Sequence, residues 1–180
     1  QIFDVPTHEE TMIAVETDKE ATFNMIQLLY KDYESPKADV TVNDYKKSMV
    51  KRLFSQMINN SLDELRNGEN PPFVMGSSNH GGVVRSKDAY QSFAISSPTG
   101  QLTALKALLE ENERVKRFGF QKAELERAKK DVLASMEKAY KNKDKTESRN
   151  YVSEYVRSFL EQEAIPGIEW EYELHKKELP

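Results

Sequence analysis

The chain has 180 residues, a formal net charge of −4, 38% hydrophobic residues and 31% charged residues. This length suits one ordinary domain with a real hydrophobic core. Without a basic excess, nucleic-acid binding is not expected, and no apolar run reaches the roughly 18 residues that a membrane span requires. The chain has no cysteine, which excludes disulfides and thiolate chemistry but leaves the compartment open between bacterial periplasm and cytoplasm.

The first residue is Gln1 rather than Met, and no signal peptide is visible. We interpret residues 1–180 as a single α+β domain that is a fragment of a larger multidomain chain.

The first third of the chain carries one strand signal and two helix signals. Met12 to Glu16 is a short apolar run with β-branched members, which is typical of a buried strand. A capping box of Thr17 and Glu20 predicts a helix after it. That helix would end near Ser35–Pro36 and would carry on one side Phe23, Ile26, Leu29, Tyr30 and Tyr33.

A second, longer helix is predicted after a polar linker at residues 37–39. Thr41 and Asp44 form its capping box, and Asn67–Gly68 ends it with a glycine in the usual left-handed stop. Two adjacent apolar rows predict that this is the most buried helix. The rows are Tyr45, Met49, Leu53 and Met57, and Val50, Phe54, Ile58, Leu62 and Leu65.

A β-hairpin is predicted next. Pro71–Pro72 breaks the chain before a strand that begins at Phe73, because proline is tolerated only at strand ends and edges. The run Ser77 to Gly82 is turn-forming throughout. Residues 83–97 alternate with the period-two signature of a strand, so the two runs predict an antiparallel pair.

Four helices are predicted in the second half. Thr99 begins the first of them, which Gly119 ends. Gln121 is the N-cap of the next, with Glu124 closing a capping box and with Phe120 and Leu125 as a hydrophobic staple. The last two are predicted over residues 146–163 and, as a short helix, after Pro166–Gly167.

This order of elements predicts an α+β fold, rich in helix, in which helices pack on one face of an antiparallel sheet. Three strands make a small sheet for so many helices. We therefore expect further strands from residues beyond Pro180 or from another copy of the chain.

The three histidines are the first candidates for metal or proton chemistry. His8, His80 and His175 include no pair within helical reach, whereas a catalytic zinc needs about three protein ligands and commonly two histidines on one helix face. His8 is therefore interpreted as a loop residue and His80 as a surface turn residue. His175 suits the dipole at a helix C-terminus and needs no function.

Other catalytic patterns are weak. Ser77 and Ser78 lie near His80 in sequence, but a serine triad needs a serine, a histidine and an acid to converge in space. Carboxylates such as Glu110, Glu111, Glu124 and Glu126 are better explained as solvated charges that pair along helices. Gly81–Gly82 is too short to cradle a phosphate.

One helix start carries a family resemblance. Gly119–Phe120 followed by Glu124 to Lys129, reading GF and then ELERAK, resembles the helix start of the repeated domains in pitrilysin (insulinase-type) zinc metallopeptidases. The likeness extends from about Val5 and includes Thr99–Gly100 before a Leu-rich helix and Arg66 at the end of an earlier one. It implies an α+β unit with helices on one face of an antiparallel sheet, here an incomplete copy of the family domain.

The family's zinc-binding H-x-x-E-H pair is absent from this sequence. The resemblance therefore implies a metal-free, C-terminal-type inactive domain, with no cofactor in this segment and zinc in the catalytic domain of the parent protein.

Arg66 is the one position that matches a functional residue of the family. In its active two-half enzymes, a second-half domain supplies an Arg and, seven residues on, a Tyr, which are thought to steady substrate opposite the zinc. Here Arg66 matches, but the Tyr position is Phe73, which has no hydroxyl. Either the domain stands away from the zinc or the pair is degenerate, and we favour the former.

The resemblance implies a non-catalytic structural domain in the substrate chamber of a zinc-dependent metalloendopeptidase. Its partners would be other domains of the same chain or a homologous subunit, and the peptide substrate of the parent. Two alternatives remain open. One is a catalytically dead peptide-binding or assembly subunit of the same family, and the other is an unrelated helical interaction module, which a helical bundle without a sheet would favour.

Overall fold

The computed structural model describes residues 5–34, 36–38 and 40–179. Ser35 at the predicted end of the first helix and Asp39 in the predicted linker lie outside these residues. The elements in chain order are β1 (Asn24–Lys31), α1 (Val42–Arg66), β2 (Met75–Val84), β3 (Lys87–Ser96), α2 (Gln101–Phe118), α3 (Lys122–Lys141), a short 3₁₀ turn (Lys143–Lys145), α4 (Ser148–Glu161) and α5 (Ile168–Glu178). The predicted α+β fold with an antiparallel sheet is confirmed.

The chain folds into two compact units. Unit 1 comprises residues 1–36 and 58–119, and unit 2 comprises residues 37–57 and 120–180. The expectation of one domain over residues 1–180 stays a prediction. None of the helices among the described residues is long and apolar enough to cross a membrane.

Unit 1 is built on a three-stranded antiparallel sheet with the order β1-β3-β2. The central strand β3 alternates buried and partly exposed residues along much of its length, and Ala94 pairs with Ile26 on one side and with Gly76 on the other. Helix α2 packs against β3 and β1. The core of the unit is formed by Leu62, Phe73, Ala94, Ala104 and Leu108. A sheet in this position contradicts the alternative of a helical bundle without strands.

Two predictions for the first third of the chain are wrong. Residues 12–16 form no strand, and Ile13 within them is 84% exposed. The run that we assigned to a helix is instead strand β1. Its partly buried residues Ile26 and Leu28 alternate with exposed residues such as Met25 and Gln27, so the period of two fits better than the helical spacing that we read.

The predicted turn at Ser77 to Gly82 is also wrong, because these residues belong to strand β2. The hairpin turns at residues 85 and 86 instead. Packing requires a small residue at two positions of β2: a Cβ on Gly76 would lie 2.8 Å from the ring of Phe73, and Ser78 is fully buried. At these two positions, residues that are typical of turns are explained by close packing in the sheet instead.

Unit 2 has its own core, in which one face of α1 meets α3 and the end of α5. Its buried members are Met49, Leu53, Met57, Ala128, Val132 and Leu179. The two predicted capping boxes that open these helices are confirmed. The Thr41 N–H donates to Asp44 Oδ2 at 3.2 Å and the Asp44 N–H donates to Thr41 Oγ1 at 3.2 Å. The Thr41 hydroxyl also donates to Asp44 Oδ2 and lowers the pKa of Asp44. In the second box the carboxylate of Glu124 accepts from the Gln121 N–H.

Candidate functional site

The candidate site lies at one end of the sheet in unit 1, where each strand supplies one polar side chain. Asp32 directly follows β1, His80 belongs to β2 and Asp88 belongs to β3. The Asp32 N–H donates to the Asp88 carbonyl oxygen at 2.9 Å, which ties the two strand ends together. His80 Nε2 lies 2.9 Å from Asp32 Oδ2. One possible ligand atom from each of the three residues lies within 4.8 Å of the others.

This group is the one set of three potential metal ligands among the described residues. An imidazole with two carboxylates suits divalent transition metals, but His80 Nε2 is already hydrogen-bonded to Asp32. His80 Nδ1 is buried and has no hydrogen-bond partner among the described residues. The Asp32 carboxylate therefore orients the imidazole of His80 through this hydrogen bond.

Sequence reasoning placed His80 in a surface turn, and this is wrong because the side chain is mostly buried within β2. Asp32 was not singled out at all. It lies 48 residues from His80 in sequence, and only the pairing of β1 and β2 with β3 brings the two together. No local spacing signal could have found this pair.

A buried polar network continues along the sheet from His80. Ser78 and Ser92 are fully buried and share a hydrogen bond of 2.7 Å between their hydroxyl oxygens. Tyr90, which pairs with His80 across the strands, donates its hydroxyl to Asn112 Oδ1 on α2 at 2.7 Å. Burial raises the pKa of Tyr90, so its hydroxyl stays protonated and remains a donor.

Next to this network, α2 carries an ion pair of which the carboxylate is buried. Glu111 is buried and accepts from Arg114 Nε at 2.9 Å and from Arg114 Nη2 at 2.7 Å. A two-bond contact of this kind satisfies a carboxylate that burial would otherwise penalise. Both carboxylate oxygens of Glu111 are thus engaged by Arg114.

The serine hypothesis finds no support in this geometry. The Ser78 hydroxyl bonds Ser92 and the imidazole of His80 bonds Asp32, whereas a triad requires the base to bond the nucleophile. Among the described hydrogen bonds, none joins Ser78 to His80.

The two positions carried over from the family resemblance lie in different environments. Arg66 is at the end of α1, where its Nη2 lies 3.2 Å from Asp63 Oδ1 in an exposed ion pair. Phe73 is 3% exposed and belongs to the core of unit 1. Arg66 and Phe73 therefore do not form a shared surface that a substrate could contact.

The other two histidines do not belong to the group around His80. His8 Nδ1 contacts the carbonyl oxygen of Glu10 at 2.8 Å in an exposed segment of unit 1. His175 belongs to unit 2, where it lies in the last turn of α5, as predicted, and is buried. Its Nδ1–H donates to the Glu171 carbonyl at 2.7 Å, and its ring packs edge-on against Tyr45. It is a core residue.

Comparison with known proteins gives one sequence relative and two structural matches, while no family model matches the chain. A protein described as "Zinc protease PQQL-like" from Arabidopsis thaliana is 28% identical over 180 residues, which cover 99% of this chain and 16% of that protein. The chain thus spans about a sixth of the length of this curated relative.

The structural matches are to the periplasmic protease PqqL from Escherichia coli. Its crystal structure matches with a TM-score of 0.78 and 20% identity, over 88% of this chain and 18% of that chain. The crystal structure of its first half matches with a TM-score of 0.79 and 20% identity, over 89% and 34%. At this level of identity the structural likeness shows a shared fold.

Proposed function

We propose that the chain is a domain of an insulinase-like zinc protease and forms a non-catalytic wall of the chamber in which the parent protease encloses its peptide substrate. The observation that carries this proposal is the likeness over 99% of the chain to a protease of which it covers 16%. If the parent protein is as long as this relative, the chain supplies one domain of a larger enzyme.

The ligand chemistry of the chain supports a non-catalytic role. A catalytic zinc of this kind is held by about three protein ligands, commonly with two histidines from one helix. His8, His80 and His175 offer no such pair. The group around His80 has one histidine, whose Nε2 is already bonded to Asp32. The zinc that hydrolyses the peptide bond would be bound by another domain of the parent.

The match to the first half of the E. coli protease supports a place in the first half of the parent, rather than the C-terminal-type place that the family resemblance implies. There the chain would stand beside the zinc-bearing domain as its metal-free relative. Its partners would be the other domains of the same polypeptide, and the enclosed peptide would contact it without being cleaved by it.

Metal analysis tests the proposal. After dialysis, the purified full-length parent is expected to retain one zinc per chain and to cleave an unstructured peptide in a chelator-sensitive way. The variant His80→Ala should keep both properties, as should the matched control His8→Ala.

Two results would overturn this assignment. Loss of zinc and activity in His80→Ala, with His8→Ala unaffected, would place the catalytic metal in this chain. A parent that retains no zinc and cleaves no peptide would make the protein a binding or assembly subunit instead.

A further inference from the structure

Helix α4 differs from its neighbours in unit 2 because none of its residues, all of which are described, is buried. By contrast, α3 buries Ala128, Val132 and Met136, and α5 buries His175. The sequence of α4 is nevertheless amphipathic, so a polar composition does not explain why none of its residues is buried.

One side of α4 carries four large apolar residues that recur at helical spacing. They are Val152, Tyr155, Val156 and Phe159, with exposed fractions of 58%, 60%, 50% and 80%. We call these four residues the α4 face. Residues at i, i+3, i+4 and i+7 form one continuous stripe, and their exposed area is on the order of 400 Å², in the range of the largest patches on monomers, which are often functional.

A helix of this kind depends on a partner. It has 14 residues, and isolated helices of that length are marginal in water because their nucleation is unfavourable. Most helical stability in proteins comes from packing of the apolar face. Since no residue of the α4 face is buried within unit 2, we expect the contact that stabilises this helix to come from outside that unit.

We propose that the α4 face docks against another domain of the same parent polypeptide, a proposal that rests on the proposed function above. The chain covers 16% of its Arabidopsis relative and 34% of the first half of the E. coli protease. Most of the polypeptide that could cover α4 therefore lies outside these residues.

The chemistry of α4 favours a protein domain as the occupant. An aromatic-rich apolar centre within a polar rim is typical of the buried part of a stable interface. The charged residues of α4 are two arginines and two glutamates, namely Arg149, Glu154, Arg157 and Glu161. A helix that lies on a membrane or binds nucleic acid would carry a basic excess instead. The occupant should present an uncharged apolar groove.

Hydrogen exchange of the full-length parent, followed by mass spectrometry, tests the proposal. Peptides that cover residues 148–161 should be protected, and Phe159→Gln should speed their exchange at least about tenfold because it removes the largest member of the face. The matched control is Glu161→Gln, which places the same side chain in the same helical turn on the polar side. It should leave the exchange unchanged.

Two results would overturn the proposal. Fast exchange of residues 148–161 in the unsubstituted parent would show that nothing covers the α4 face. Protection that disappears on roughly hundredfold dilution, together with a dimer in size measurements, would assign the face to a second copy. Zinc content and peptidase activity test the proposed function, whereas hydrogen exchange tests the docking of α4. The two proposals can therefore fail independently.

Discussion

Asn59 on α1 holds the backbone of Ser78 on β2 through two hydrogen bonds. Asn59 Nδ2 donates to the Ser78 carbonyl oxygen at 2.8 Å, and the Ser78 N–H donates to Asn59 Oδ1 at 2.9 Å. Strand β2 is an edge strand, and free backbone groups on such an edge invite pairing with another chain. The side-chain amide of Asn59 therefore takes the place of a neighbouring strand.

Replacing Asn59 should destabilise unit 1. Asn59→Ala leaves the N–H and carbonyl of Ser78 without these partners, and the expected loss is about 1–3 kcal/mol of unfolding free energy. Urea unfolding measures it. The control Asn150→Ala removes an exposed amide from α4 and should stay within about 0.5 kcal/mol. Equal stabilities of the two variants would mean that the bridge contributes nothing.

The C-terminal end of α2 depends on a glycine. Gly119 has φ 67° and ψ −153°, a conformation that is essentially restricted to glycine, and its N–H donates to the Val115 carbonyl at 2.8 Å. Gly119→Ala should therefore cost about 1–3 kcal/mol, as measured by chemical unfolding.

Gly81 provides the matched control for this substitution. A Cβ at Gly81 would meet no atom within 4 Å, and its φ is not positive. Gly81→Ala should be neutral or stabilising by about 0.4–1 kcal/mol, because alanine restricts the unfolded chain. If Gly119→Ala were as stable as Gly81→Ala, backbone strain at the end of α2 would be ruled out.

The stability of unit 2 should depend on alkaline pH through Tyr45. Burial raises the pKa of this phenol well above its usual range, with a further contribution from the nearby Glu171 carboxylate. Its ring packs edge-on against Trp170 at a centroid distance of 5.2 Å. Since the folded state holds Tyr45 protonated, the associated stability is complete below the unfolded pKa near 10 and is lost as pH rises above it.

Tyr45→Phe should make the fall in unfolding free energy between about pH 8 and pH 11 shallower, because phenylalanine does not ionise. Urea unfolding at several pH values measures this slope. Tyr155→Phe, at an exposed position of α4, is the control and should keep the slope of the unsubstituted chain. An unchanged slope in Tyr45→Phe would contradict the prediction.

Local signals marked the helices of this fold, although the capping-box pattern of Thr17 and Glu20 also predicted a helix where the structure has strand β1. The capping residues Thr41, Asp44 and Glu124 and the terminal Gly119 are each readable from neighbouring positions, and the structure has helices that begin or end there. Strand β1 was missed because its apolar residues fit two periodicities at once. A short apolar run cannot be assigned by periodicity alone.

The candidate site could not be predicted because it depends on strand pairing. Asp32, His80 and Asp88 come from three parts of the chain, and the antiparallel register alone brings them within 4.8 Å. The same holds for the bond between Ser78 and Ser92, which pair directly across the hairpin. A serine-rich run looks like a turn until its partner strand is known.

Arg66 tests whether this domain takes part in substrate binding. Its guanidinium pairs with the exposed Asp63 carboxylate one helical turn away, and Phe73, seven residues on, is enclosed in the core. A domain that stands away from the zinc would use neither residue on substrate. Arg66→Ala in the full-length parent should therefore leave kcat/KM within about twofold and should cost less than about 1 kcal/mol of stability, as expected for an exposed ion pair.

The complementary variant is Phe73→Tyr, which introduces the hydroxyl that the family resemblance implies at this position in a second-half domain. Because this hydroxyl would enter an apolar core without an assured hydrogen-bond partner, the change should destabilise unit 1 by about 1–3 kcal/mol and should not raise activity. Steady-state kinetics and urea unfolding of both variants separate these effects. A drop in kcat of a hundredfold in Arg66→Ala, with folding intact, would show instead that Arg66 reaches the substrate.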